Sequence, residues 1–425
     1  MHSLKDYTLA RRSFIKRCAA SAFGLTCLPF LTTPASAAAV DTPLGAGFGK
    51  AKRVIFLFIG GGLTHIDTFD PKTGPSKGPG GIVATKAGDQ FGSWLGKTAR
   101  VADKMTVIRS MSAKIGTHRE ASYFMRTAYK ESSTIQHPML GAYAQAKLGK
   151  SHEVLPSTVS VCRDAGYGNG FLPASMSPLP ILDPEAGLQY IKPTGELADL
   201  QASLDQLNQL DEPFREHYPD RNVKAYTDFY DDAIRLMGGK DGEAFDLSKE
   251  PKEVREAYGL TKFGQGCLLA RRLVESGVRF VEVQFGGWDF HKNLVQGLEE
   301  QAPILDHVYS TLITDLDQRG MLDDTLVVLT SEFGRTPTIK SGGRNHHPAA
   351  FSAALVGAGT RAGYIHGATD ELGKSVAEKP VTPGDLHATI GWAMGIDLKQ
   401  PLISPTGRPI PVGGHQAKVV TDVFA

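Results

Sequence analysis

A chain of 425 residues is long enough for one large α/β core or two medium domains. Its 46 Lys and Arg against 45 Asp and Glu leave a formal net charge of +1, so no global field recruits nucleic acid or an anionic membrane surface. Hydrophobic residues make up 41% of the chain, with 47 Gly and 25 Pro; this excludes disordered and collagen-like chains and fits a loop-rich globular protein that works on a small molecule or another protein.

The first segment to interpret is Arg11-Arg12-Ser13-Phe14-Ile15-Lys16, followed by an apolar stretch from Cys18 to Leu31 and then Pro34-Ala35-Ser36-Ala37. Paired arginines, a short apolar core and a small-x-small cleavage site predict a twin-arginine signal peptide over residues 1–39. The apolar run falls short of the ~20 residues that span a bilayer. The mature chain, residues 40–425, is therefore expected to have no stable membrane span, to meet the twin-arginine translocase during export, and to reside in the periplasm or outside the cell. It keeps Cys162 and Cys267 of the four cysteines, enough for one disulfide in an oxidising compartment.

Val54 to Ile59 is a continuous apolar run ending at Gly60-Gly61-Gly62, the pattern of a buried parallel strand entering a functional loop. Met105 to Arg109 reads as another strand. The polar, leucine-punctuated region 186–252, with Leu200, Leu204, Leu207 and Leu210, reads as a helical insertion or cap. Gln265 to Glu275 has helical periodicity and stops at Gly277. A strand over Val278 to Phe285 follows and runs into Gly286-Gly287-Trp288-Asp289-Phe290-His291. Ile304, Val308, Leu312 and Leu316 place one apolar face on a helix from Gln301 to Arg319. Thr325 to Thr330 is a further buried strand, ending in Ser331-Glu332-Phe333-Gly334-Arg335. Strands alternating with helices predict an open, mostly parallel sheet with its site at the carboxyl edge.

Polar residues gather where these strands end. His65, Asp67 and Asp70 follow the first, Asp289 and His291 a second, and Glu332 and Arg335 a third, with Asn345, His346 and His347 soon after. Singly, each fits a helix cap or a satisfied polar group. Together, carboxylates and neutral imidazoles supply the O and N donors of a Zn²⁺, Mn²⁺ or Ca²⁺ site. The candidate ligands are His65, Asp67, Asp289, His291, Glu332, His346 and His347. Thr117-His118-Arg119 stands at a predicted helix start, where free N–H groups attract anions; Thr117 is either a nucleophile or an ordinary N-cap, and Arg119 or Arg335 an anion clamp.

FIGGGLTHIDTFDPKTG, VIRSMSAKIGTHRE, GGWDFHKN, LTSEFGRTP, GGRNHHP and VTPGDLHATIGWAMGID resemble an exported bacterial family known as domain of unknown function 1501, placed in the alkaline phosphatase-like superfamily. The resemblance covers nearly the whole mature chain and implies an α/β fold with a central, mostly parallel sheet flanked by helices. It also implies that Asp289 and His291 match one ligand pair of the superfamily, Glu332-Phe333-Gly334 a second, and His346 or His347 a late ligand. Phe333 stands where the superfamily has a ligating His, and a phenyl ring binds no metal. The Cys/Ser-x-Pro-x-Arg motif of sulfatases is absent. The implied function is an exported metal-dependent hydrolase of small phosphate or sulfate esters; the alternative is a non-catalytic exported protein that keeps the fold and binds another exported protein.

Overall fold

Every residue from Val54 to Ile59 is buried, because alternating Val, Ile, Leu and Phe side chains meet helices on both faces of the sheet. The computed structural model describes residues 45–163, 168–188, 197–217, 234–237 and 239–425. The twin-arginine segment and parts of the 186–252 insertion lie outside those residues. Eight strands form the central sheet: β1 (Arg53–Ile59), β2 (Met105–Met111), β3 (Thr158–Val161), β4 (Leu179–Ile181), β5 (Phe280–Phe285), β6 (Thr325–Thr330), β7 (Phe351–Val356) and β8 (Tyr364–His366). Their order is β8-β2-β7-β6-β1-β5-β3-β4.

The sheet is mixed: β7 runs antiparallel to both of its neighbours and the other strands share one direction. This is the mostly parallel sheet read from the sequence, with β7 as its one antiparallel strand among the described residues. β7 enters the sheet from the carboxyl edge, which is why the GGRNHHP segment just before it ends up on that edge. In the register, Ile59 faces Phe285 and Phe58 faces Thr330. The carboxyl ends of β1, β5 and β6 are therefore level, and the loops after them meet.

The six principal helices are α1 (His118–Thr127), α2 (Leu140–Leu148), α3 (Leu197–His217), α4 (Lys262–Glu275), α5 (Leu294–Gln318) and α6 (Pro383–Ala393). On one face of the sheet, Leu268, Leu273, Leu305, Leu312 and their neighbours on α4 and α5 pack against Ile55, Leu57, Val281 and Val283. On the other, Met125 of α1, Leu140 and Tyr143 of α2 and Leu386 and Ile390 of α6 cover Val54, Phe56, Phe58 and Val328. The period-two alternation of a strand sends successive side chains to these two cores.

Local sequence explains the helix ends. Thr382 and Asp385 form a capping box at the start of α6, with Pro383 at its first position. Helix α5 begins at Leu294, seven residues before the Gln301 start read from the sequence, and carries Pro303 in its interior. Proline is common in a first helical turn and rare beyond it, so Pro303 made the helix look shorter than it is. Of the insertion, the leucine-rich stretch forms α3, with Leu207 and Leu210 exposed. Cys162 and Cys267 are free thiols. Among the described residues no helix is long and apolar enough to cross a membrane.

Candidate functional site

Three level strand ends and one helix start build the site. Gly61, after β1, has φ +113, and a Cβ there would lie 2.7 Å from the backbone nitrogens of Trp288 and Asp289. Only glycine lets this loop sit against the loop after β5. Trp288 N–H donates to the Gly60 carbonyl (3.2 Å), which fixes Asp289 beside the β1 end. Glu332, after β6, is buried and accepts from the Gly61 amide (2.9 Å). Gly334–Arg335 and His346–His347 then pair as a short antiparallel ribbon and bring His346 back over the edge.

Around the Asp289 carboxylate stand three imidazoles. Its oxygens lie 3.3 Å from His118 Nε2, 3.1 Å from His291 Nε2 and 3.4 Å from His346 Nε2; the last two nitrogens are 2.9 Å apart. One atom each from His118, Asp289 and His346 falls within a 4.8 Å group suited to an ion. Neighbouring donors of a tetrahedral ion with ligands at ~2.0–2.1 Å are about 3.4 Å apart, close to the distance from each Nε2 to the Asp289 carboxylate.

The far side of each ring is held by an oxygen. His118 Nδ1 faces Glu332 Oε1 at 2.7 Å, His346 Nδ1 faces the Gly116 carbonyl at 2.6 Å, and His291 Nδ1 faces Asn345 Oδ1 at 3.1 Å. The Glu332 carboxylate and the Gly116 carbonyl only accept, so Nδ1 of His118 and of His346 carries a proton, and the Nε2 atoms of these rings face Asp289. Carboxylate or carbonyl behind the imidazole is the usual support of a metal-binding histidine. The buried His118 Nε2 has no hydrogen-bond partner. The phenyl ring of Phe333 packs 4.9 Å from the His118 ring and 4.6 Å from that of His346, centroid to centroid, an apolar wall that restricts both rotations.

The electrostatics follow from the packing. Burial alone would raise the Asp289 carboxyl, but the Arg335 guanidinium bonded to it and the imidazoles around it bring it down to about 2. The hydrogen bond to Glu332 is the main cause holding His118 above its ordinary pKa. Desolvation lowers His346.

The remaining candidates from the sequence sit elsewhere. Asp67 is fully buried in a two-point ion pair with Arg344 (2.9 and 3.1 Å), with Thr64 donating to the same carboxylate (2.7 Å). His65 donates from Nε2 to the Gly373 carbonyl (2.9 Å), and burial pushes its pKa down to about 4. His347, next to His346, points the other way: it stacks on His65 and donates to the Lys374 carbonyl (2.8 Å). Glu332 lies behind His118 with its Oε1 turned to the ring's Nδ1. Arg335 is buried, spanning the Gly61, Gly62 and Arg344 carbonyls and Asp289. Arg119 points to Glu131 (2.7 Å) in solvent. Thr117 occupies the N-cap of α1 without a side-chain cap bond, its hydroxyl donating to Glu120 (2.7 Å). His118, placed by the sequence reading at an anion site, joins the imidazole cluster.

A family model described as "Protein of unknown function (DUF1501)" matches residues 51–424. No curated protein matches the chain. Among solved structures, the chain is similar to the lipoteichoic acid synthase LtaP from Listeria monocytogenes (11% identity, covering 88% of this chain and 78% of that one, TM-score 0.41). It is also similar to the PsFucS1 sulfatase from Pseudoalteromonas sp. (14% identity, 89% and 76% covered, TM-score 0.40). A third likeness is to alkaline phosphatase from the Antarctic bacterium TAB5 (13% identity, 76% and 96% covered, TM-score 0.36). These likenesses concern the path of the chain, and no residue's role passes from those proteins to this one.

Proposed function

The chain belongs to the family described as protein of unknown function DUF1501, and from that premise we propose that it is a metal-dependent hydrolase of phosphate or sulfate esters, exported by the twin-arginine route. The observation that carries the reading is the convergence of three Nε2 atoms and one carboxylate, each imidazole backed by an oxygen acceptor. A donor set of three imidazoles and a carboxylate suits Zn²⁺ or Mn²⁺ better than Ca²⁺, which takes an all-oxygen shell.

His118, Asp289, His291 and His346 would hold the ion. Bound there, a divalent metal supplies Lewis-acid polarisation of an ester oxygen. The protein's own residues set the conditions for that chemistry. Glu332 keeps the His118 proton on Nδ1 and so keeps Nε2 open. Arg335 keeps Asp289 ionised and ties it to the β1 loop, and Phe333 excludes water from behind two of the rings.

The test is elemental analysis of the purified full chain, with turnover assayed on phosphate and sulfate ester panels. About one equivalent of Zn²⁺ or Mn²⁺, lost in His118→Ala, is the expected result. A wild-type chain that takes up no metal ends this reading and favours the exported binding protein.

A further inference from the structure

Helix α1 offers its first residue, His118, to the imidazole cluster and is gripped near its other end by Arg126. That guanidinium stacks over the Phe58 ring of β1 at 3.7 Å. Its Nε donates to Glu282 Oε1 (2.7 Å) and its Nη2 to Gln284 Oε1 (3.2 Å), both on β5. Phe58 and Gln284 are partners in the register, so Arg126 holds two neighbouring strands at one level. β5 is also the strand whose following loop carries Asp289 and His291. The grip therefore refers the ligand on α1 to the strand that bears two of the others.

The first turn of α1 is lightly held by comparison. Thr117 makes no side-chain cap bond, Arg119 and Glu120 are exposed, and His118 reaches toward Glu332 and Asp289. In the last turn Met125 and Arg126 are buried, and the Met125 carbonyl accepts from His387 of α6 (2.6 Å). Arg126 follows His118 by eight residues, about 12 Å along the axis at about 1.5 Å per residue. A tilt of about 5° about the gripped end would move His118 by about 1 Å, several times the roughly 0.2 Å latitude of a metal–ligand distance.

Arginine is a costly residue in this place. The side chains of Arg126 and Glu282 are 1% and 3% exposed, and Arg126 Nη1 is buried without a hydrogen-bond partner. Desolvation is the main cause lowering the Arg126 pKa; the Glu282 charge opposes it, and the Arg163 charge adds to it. A buried ion pair adds little net stability over apolar side chains of similar volume, and an orphaned donor subtracts from it. What the pair supplies is direction. A planar guanidinium with two donors engaged fixes distance and rotation together, where apolar side chains would let the helix slide.

Resting on the metal-site reading above, we propose that Arg126 is a positioning residue of that site: its grip on Glu282, Gln284 and Phe58 sets the tilt and rotation of α1 and so places His118 Nε2 among the other ligands. Arg126 acts through His118 and does not itself touch the ion.

The experiment uses the full chain loaded with Co²⁺ and follows the visible bands of the bound ion, whose position and intensity report its coordination geometry. Removing both partners at once, in the double variant Arg126→Met with Glu282→Leu, strands no charge, so this variant should unfold in urea no earlier than the wild type. Its Co²⁺ affinity should nevertheless fall about tenfold or more, and its bands at saturation should differ from those of the wild type. Arg126→Lys keeps a charge beside Glu282 without the two-point grip, and it should also bind Co²⁺ more weakly and with altered bands. Wild-type affinity and bands in the folded double variant overturn the proposal. Weaker affinity with unchanged bands overturns it too, because the ligands have then kept their places. A lysine variant indistinguishable from the wild type overturns the two-point grip, and if the double variant does not fold, Arg126→Lys decides alone by the same two readouts. A wild-type chain that takes up no Co²⁺ is a different result, since it removes the metal site itself and this inference with it.

Discussion

His65-x-Asp67 and Asp289-x-His291 are near mirror images in sequence, each a few residues beyond a buried strand and a run of glycines, yet their loops have opposite fates. From Gly62 to Asp70 every residue is buried, whereas in the loop after β5 Gly286, Gly287, Asp289 and His291 are exposed. Full burial obliges each polar group to find an internal partner. Asp67 therefore spends its oxygens on Arg344 and Thr64, and His65 gives its proton to Gly373. The second loop stays open to solvent, and its carboxylate and imidazole keep lone pairs that point at two further rings. One loop is spent on scaffold and the other builds the candidate site, although their residue types are nearly the same.

Removing the two aspartates should separate these roles most sharply. Asp67→Ala takes from the fully buried Arg344 its carboxylate and leaves it only the Thr336 and Pro337 carbonyls, and should cost about 3–5 kcal/mol in urea denaturation while metal bound per folded molecule stays at the wild-type level. Loss of metal with unaltered stability would invert the comparison. Asp289→Ala leaves Arg335 its carbonyl acceptors, so stability should fall by only about 1 kcal/mol, with metal affinity down about 100-fold or more. The neighbouring histidines sharpen the same contrast: His346→Ala should empty the site, and His347→Ala, which touches His65 and Lys374, should leave metal content unchanged in elemental analysis.

Acid should find the scaffold before it finds the fold's other supports. Burial holds His65 and His387 at about 4 against an ordinary 6.5. Below pH 6.5 the unfolded chain takes up protons that these folded imidazoles refuse, so the stability they contribute is complete above that value and declines as pH falls toward 4. Each group accounts for about 1.4 kcal/mol per pH unit in that window. Denaturation curves at about pH 7 and about pH 5 measure the loss, and His387→Gln, which can still donate to the Met125 carbonyl, should reduce the slope by one proton. The smallest effect is expected at Thr117, exposed and making no side-chain cap bond: Thr117→Val should change stability by less than about 0.5 kcal/mol. A loss above about 1 kcal/mol would show that its bond to Glu120 supports the start of α1.

The legible part of the fold was its punctuation. Strand-like runs marked β1, β5 and β6, the first two ending in glycines, and the polar clusters after them marked the edge that carries the candidate site. Less legible were features whose cause lies outside the local window. The direction of β7 depends on which edge the chain enters from, and Pro303 hid the first turns of α5. His118 resembled an anion-binding helix start because its partner, Glu332, is 214 residues away.

What the sequence determined by itself was the set of elements and the donor types at their ends, because burial periodicity and turn chemistry act over a few residues. Only the tertiary structure decided which of those donors remain free. Asp67 is satisfied by an arginine 277 residues further along, and Asp289 meets imidazoles from α1 and from the ribbon before β7. A lone pair is either consumed or available, and that depends on what the fold brings within about 3 Å of it.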